Sequence, residues 1–575
     1  MAIVPQAEPR GDSADVRAGA VTAEPLASWP LPERVIDHLV LGSRRMTVLY
    51  WTAVLLIVAG LFVTGLLPCV DYPQHLALSD IARRLANPSA PENAEYQLNY
   101  FTYNGLFHVV VSRLSMWMPI ELAGRIVVAL SLLAMAGAVV ALVRVLRRPP
   151  LHAALFTPIL FSFALGWGFV NYVMAVAIGA WALVFVARAA VRPTAVSIVA
   201  VLVLGQACAY AHVLAMLILC LAAAALGLEM AWRAAPPGMS RGRRLVHTLV
   251  RATIAVGPLL VGCIYCIEVY RRQYVWDPGM YRDPTMEGSS PPVWEKLVWF
   301  SAFATDLYRD GTDQVILWVS LVLMGWSAWR LWKRRRAGDR AREEPPPILA
   351  PFVALTLAYF ATPMVLIGTH LIFPRLAQWA VLGAVLATPS FPEDMADWTR
   401  TWIPRLGVLA GVNSLLHCAI FGLETRDASR LIDDLPPGRS ATAVIWEPGT
   451  HAFRNGTLTH LAAYYAARKH GEWAFAFARY LSVPVRFRPG AQPAWPAKGW
   501  EFSAEDYDPR CKYARAFPLV IVRAPAELPT DASGEPIIRK LVFKKDANAA
   551  DVKLLSHHGR FWAFDTRGLP NDGTL

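Results

Sequence analysis

Charge is scarce in this 575-residue chain: 17% of its residues are Asp, Glu, Lys or Arg, against 55% apolar. Soluble domains carry roughly 25% charged residues, so the balance excludes an ordinary soluble protein of this size. Cysteine is sparse as well. Of seven, Cys208, Cys220, Cys263, Cys266 and Cys418 fall inside apolar runs, which excludes a disulfide-framed scaffold. Cys263 and Cys266 spell C-x-x-C, but within an apolar helix that spacing reads as packing. Cys69 and Cys511 would share one side of a membrane, and a bridge between them is a pairing the sequence allows. The histidines lack spacings such as H-E-x-x-H, so no metal ligand set and no cofactor is expected. Internal repeats and low-complexity tracts are absent too.

What is present is a series of apolar runs, from about residue 48 to about residue 422, with none after it. About twenty such residues in a helix cross roughly 30 Å of hydrocarbon. The first run, YWTAVLLIVAGLFVTGLLP, lies behind a polar segment and is too far inside the chain for a cleavable signal. The net charge of +12 raises the question of a nucleic-acid partner. The arginines, however, cluster between alternate runs, at Arg44 and Arg45, Arg147 and Arg148, Arg241 to Arg244, and KRRR at 333 to 336. That is the positive-inside pattern of a membrane protein, and no nucleic-acid partner is expected. Orienting by arginine gives about eleven spans in an inner membrane. Residues 1–47 form a disordered cytoplasmic segment, 48–424 the transmembrane domain, and 425–575 an extracytoplasmic domain.

That last region changes texture: charges and prolines replace apolar runs. ATAVIW, PLVIVR and RKLVF read as strands and THLAAYYAARKH as an amphipathic helix, which together suggest a small α/β domain with its own core. Asn455-Gly456-Thr457 matches a glycosylation sequon, a pattern that also arises by chance.

The stretch PCVDYPQHLALSD follows the first apolar run directly. Asp71 sits where a helix begins, Pro73 is tolerated in its first turn, and Leu78, Ile81, Ala82 and Leu85 recur at helical spacing. We read an amphipathic helix lying on the membrane surface, with Asp71 and His75 four apart on one face. A second broken apolar stretch, YFTYNGLFHVVVSRLSMWMP, reads as another surface helix, carrying Asn104 and His108 at the same spacing.

These features together resemble the C-type (GT-C) glycosyltransferases, polytopic enzymes that use lipid-phosphate-linked sugars on the non-cytoplasmic side. The resemblance rests on the acid of DYPQHLA, on the long first loop with two helices, and on YNGLFHVVVSRLSMWMPIELAGRIVVAL with its A-x-R lead into the second run. It covers about residues 48 to 425 in architecture, and residues 71–75 and 104–125 in motif. It implies hexosyl or pentosyl transfer from a polyprenyl-phosphate-linked donor to a lipid, glycan or protein acceptor, as part of cell-envelope assembly. The acid's role in that family, as catalytic base or acceptor-binding group, falls on Asp71. The sequence departs from many members in having Tyr72 where a second acid stands, and no second acidic motif occurs in later loops.

The chemistry can also be read without the family. Transfer with inversion needs a base for the acceptor hydroxyl, which a carboxylate at the membrane edge supplies. It also needs donors for the departing phosphate. The polar residues expected near the outer surface are His75, Asn104, His108, His212, His370 and Arg375, all taken as substrate-binding. Several have a structural alternative: Asp71 as a helix cap, His75 and His108 as interfacial hydrogen-bonding groups, His212 as a group that satisfies a helix end at a tight turn, and Arg375 as a headgroup anchor. A membrane-bound acyltransferase, a transporter and a non-catalytic assembly protein stay open as rivals.

Overall fold

The computed structural model describes residues 40–569 apart from 42, 275–287, 338–345, 367–368, 392–395, 481, 494–495, 497–498 and 544–550. Most of the segment expected to be disordered lies outside the described residues. Its last part does not fit that expectation, because the first helix, Arg44–Gly60, already opens there on a Ser43 cap.

Six described helices are long and apolar enough to cross a membrane: Ile120–Val145, Val170–Val191, Val213–Arg233, Arg241–Gln273, Thr312–Arg336 and Ala396–Glu424. Shorter apolar helices cover Pro150–Gly166, Ala195–Ala211, Ala350–Ala361 and Ile372–Ala387. With Arg44–Gly60, these segments fall on the expected runs. The first run is broken sooner than its hydropathy suggests, since its helix stops at Gly60 and residues 61–71 form no helix. Arg125 makes this possible by donating to the carbonyls of Leu61, Thr64 and Gly65, which have no helical partner. Arg44–Gly60 packs along Ala396–Glu424, where a Cβ on Gly411 would stand 2.6 Å from the Ala53 carbonyl. Small residues are what allow helices in lipid to approach this closely.

The strands are β1 Tyr96–Leu98, β2 Ser440–Ile445, β3 Glu472–Trp473, β4 Val485–Phe487, β5 Leu519–Arg523, β6 Lys553–His558 and β7 Phe561–Asp565. Five of them form one sheet in the order β3-β2-β5-β7-β6, with β2 parallel to β3 and β5 and the rest antiparallel. ATAVIW and PLVIVR supply its centre, and every residue of β5 is buried, as an unbroken apolar strand covered on both faces requires. RKLVF, expected as a strand, belongs instead to the helix Glu535–Phe543. Ile538 and Val542, four apart, both face the core there, so helical period decided over β propensity.

The largest departure from the sequence reading concerns the first loop. The helix Tyr72–Arg84 does not lie half-exposed on a membrane surface, for every residue from Tyr72 to Ala82 is buried. The C-terminal region covers it. Its helix Leu461–Lys469, itself buried from Leu461 to Ala467, packs along Tyr72–Arg84. β1 of the loop pairs antiparallel with β4 of the C-terminal region. Ion pairs close the seam: Asp80, almost fully buried, receives Arg83, Arg84 and His470, and Glu121 pairs with Arg468. The first loop and the C-terminal region therefore share one side of the bundle and one core. The second expected loop helix, Leu106–Leu114, forms and buries Phe107, His108, Val111 and Ser112.

All seven cysteines are free, Cys69 and Cys511 included. Cys263 of the C-x-x-C lies 3.3 Å from Cys220 of a neighbouring helix, a packing contact between thiols. Thr457 of the sequon is buried, as is the Asn455 amide nitrogen, which leaves no room for a glycan.

Candidate active site

Asp71 precedes the first helical residue, yet its side chain makes no capping bond. Its backbone (φ −87°, ψ −8°) is already near-helical, whereas a capping residue needs an extended conformation to turn its oxygen back onto the free N–H groups. The carboxylate points elsewhere. Oδ1 lies 3.2 Å from Nε2 of His460, a buried residue that opens the C-terminal helix Leu461–Lys469. On the far side of the ring, Nδ1 is 2.9 Å from Glu501 Oε1. Burial works against charge on this imidazole, but Glu501 and Asp71 outweigh it and hold the pKa up at about 9. His460 thus stands between two carboxylates that favour its charged form, and Gln74 Nε2, which can only donate, lies 3.2 Å from Nδ1.

Gln74 ties the helix to the C-terminal region. Its Oε1 accepts from the Trp473 indole at 2.7 Å and from Phe477 N at 3.1 Å, while Nε2 donates to Phe475 O. On the opposite side, Val70 N and Asp71 N donate to the carbonyls of Gly166 and Trp167, at 3.0 Å each. This contact depends on Gly168, which takes φ +80° and whose Cβ would lie 2.5 Å from Asp71 N. Only glycine fits there.

The same turn, Gly166 to Tyr172, leads to a second group. The Arg375 guanidinium stacks on Phe169 at 3.8 Å and is 3.2 Å from His212 Nε2, while Tyr172 donates to the Arg375 carbonyl at 2.6 Å. Leu214 N donates to His212 Nδ1, so the histidine does cap the following helix. A neutral imidazole accepts at one nitrogen only, so His212 takes either the Leu214 amide or the guanidinium, and among the described residues no carboxylate pairs with Arg375. Asp71 is among the charges that act on it. Arg375 Nε, Asn171 Oδ1, Gln378 Oε1 and Trp167 Nε1 are all buried without a partner. Arg375 Nε and Trp167 Nε1 are donors and the two amide oxygens are acceptors; buried polar groups left unpaired call for a ligand or bound water, and the guanidinium among them suits an anion.

His75 and His108 form a third group, with His75 Nδ1 3.2 Å from His108 Nε2 and His108 Nδ1 3.1 Å from Ser79 Oγ. Burial holds His75 down at about 4 against the pull of Asp71, and keeps His108 well below the usual histidine range.

Of the residues singled out from the sequence, Asp71, His75, His108, His212 and Arg375 gather around this region. Two do not join in the expected way. His370 offers only its backbone carbonyl to Arg375, at 3.2 Å, and the residue is exposed. Asn104 has a buried, unpartnered Oδ1, and its backbone is held by Ser482 O, with no side-chain bond to the histidines. Sequence reasoning missed His460, Glu501, Gln74, Asn171 and Tyr172. The Gly166–Tyr172 turn was visible as a glycine and aromatic cluster. His460 gave the weaker signal of a histidine at the head of an apolar helix. Glu501 gave none. Among the described residues no group of three or more His, Cys, Asp or Glu is arranged to hold a metal ion.

No known family model matches the sequence, and no curated protein matches it. Among solved structures, the chain is similar to the crystal structure of ArnT from Cupriavidus metallidurans bound to undecaprenyl phosphate. The similarity covers 91% of this chain and 98% of that one, with a TM-score of 0.47 and 12% sequence identity.

Proposed function

We propose that this protein is a membrane glycosyltransferase of C type, which moves a sugar from a lipid-phosphate-linked donor to an acceptor hydroxyl on the non-cytoplasmic face. One observation carries the reading: a carboxylate released from capping and held by the C-terminal region acts electrostatically on a buried guanidinium that has no carboxylate partner among the described residues. The first suits a base, the second a phosphate.

In this reading the acceptor oxygen attacks the anomeric carbon and its proton passes to Asp71, while the bond from that carbon to the phosphate oxygen breaks. The charge left on the phosphate is met by the Arg375 guanidinium, a donor already in place before reaction. His460 is a positioning residue. It keeps Oδ1 fixed through a charged hydrogen bond and leaves Oδ2 for the proton, in a side chain that is 16% exposed. The seam between the first loop and the C-terminal region supports placing both outside the cytoplasm, since the arginine-rich segments lie between the other helix ends.

An acyltransferase is the rival that a specific observation favours, since neutral His75 stands near Asn171, with His75 Nδ1 3.5 Å from the amide. One assay separates the two. Purified protein in lipid is supplied with radiolabelled polyprenyl-phosphoryl hexoses and pentoses, and release of polyprenyl phosphate is followed. Release that depends on Asp71 supports sugar transfer; no release from any of these donors, with acyl transfer from an acyl donor instead, overturns it.

A further inference from the structure

Ser79 Oγ is 2.8 Å from the His75 carbonyl, which can only accept, so the hydroxyl proton is committed there. Oγ must then accept from His108, at 3.1 Å, which puts the His108 proton on Nδ1. His108 Nε2 is in turn an acceptor, filled by His75 Nδ1–H at 3.2 Å; the Asn171 amide, 3.5 Å from that same nitrogen, joins only by turning its unpartnered oxygen toward it. The relay runs in one direction, and at its end the remaining nitrogen of His75, Nε2, carries a lone pair. Among the described residues Nε2 has no hydrogen-bond partner. It also differs from the two nitrogens of His152, which are sealed in the bundle unpartnered. Burial keeps the ring neutral across the physiological range.

We infer that His75 Nε2 accepts a hydrogen bond from a substrate hydroxyl, and that His108 and Ser79 are positioning residues that fix the tautomer for it. The inference rests on the glycosyltransferase reading and deepens it. A lone pair repels a phosphate oxyanion, so His75 marks the sugar side of the site as Arg375 marks the phosphate side. The hydroxyl belongs to the donor sugar or to the acceptor, and the two differ in what a substitution changes.

Full-length protein in nanodiscs is titrated with decaprenyl phosphate and with decaprenyl phosphate carrying glucose, mannose, galactose or xylose. A neutral hydrogen bond is worth up to about tenfold in affinity. If the donor sugar supplies the hydroxyl, His75→Phe weakens the sugar-bearing lipid about tenfold and leaves bare decaprenyl phosphate unchanged. If the acceptor supplies it, donor binding holds and acceptor KM rises about tenfold. In either arm His75→Gln, which keeps an acceptor at the same reach, recovers most of the loss. Ser79→Ala falls between, because it frees the tautomer. Equal weakening of both lipids, or no change in either donor affinity or acceptor KM, overturns the inference. Nitrogen NMR of histidine-labelled protein reads the tautomer directly, with His75 assigned by loss of its signal in His75→Phe, and a protonated Nε2 also overturns it. Parent protein that binds none of these lipids overturns the glycosyltransferase reading itself, a result distinct from selective failure of the variant.

Discussion

Asp71 and His460 stand 389 positions apart in the chain and 3.2 Å apart in the fold. One ends the turn after the first apolar helix and the other opens a helix of the C-terminal region. The carboxylate that could have capped its own helix is instead part of a seam between the two.

Asp71→Asn is the sharpest test of that carboxylate. No capping bond is lost, and the amide still offers an oxygen to His460, so expression and thermal stability should stay near the parent. Transfer should fall by about 10² or more, the scale for losing a general base. A stable variant that transfers sugar at close to the parent rate would remove Asp71 from catalysis.

The His460 bridge makes stability depend on pH in a definite direction. Its pKa rises from 6.5 to about 9 on folding, so its contribution is fully present below about 6.5 and is lost as pH climbs through about 9. His75 acts on the other side: held at about 4, it contributes above about 6.5, and that stability is lost as pH falls toward 4. Melting temperature measured across this range should fall at both ends. In His460→Gln the alkaline decline should flatten, because glutamine carries no proton to lose; an unchanged decline counts against the bridge.

Arg375→Lys keeps a charge but loses the planar fork that grips two phosphate oxygens and stacks on Phe169. Binding of bare polyprenyl phosphate should weaken tenfold or more, with the protein still folded. Unchanged affinity would return Arg375 to the role of a headgroup anchor.

Gly168→Ala meets two obstacles, a φ of +80° and backbone of Asp71 at 2.5 Å. The strained backbone alone costs about 1–3 kcal/mol. The turn must move away from Asp71, so melting temperature and transfer should drop together. A fully active, equally stable alanine variant would show that the turn does not position the site.

The pairing of β1 with β4 requires the first loop and the C-terminal region to lie on one side of the membrane. Phosphatase reporters active only outside the cytoplasm, fused after Pro88 and after Arg430, should both be active. Opposite results at the two positions would contradict the seam, and two inactive fusions would place the site in the cytoplasm.

Much of the architecture was legible because its cause is local. A run of about twenty apolar residues has few alternatives to a buried helix. The strands of ATAVIW and PLVIVR were readable for the same reason. RKLVF was not, since five apolar and basic residues fit either period, and only the neighbours of Ile538 and Val542 decided between them.

The sequence by itself determined that an acid, histidines and an arginine stand at the ends of apolar helices, because hydropathy places each of them at a depth. Tertiary structure alone decided what each one does. Asp71 is a paired carboxylate and not a cap because His460 and Glu501 arrive from the far end of the chain, and no spacing within a helix encodes that arrival. Tyr72–Arg84 carries an amphipathic pattern, yet it is buried throughout, because its polar face is paired by the C-terminal region instead of by water. Burial and partner charges set the protonation of His75 and His460 in opposite directions, and both are properties of the packed chain.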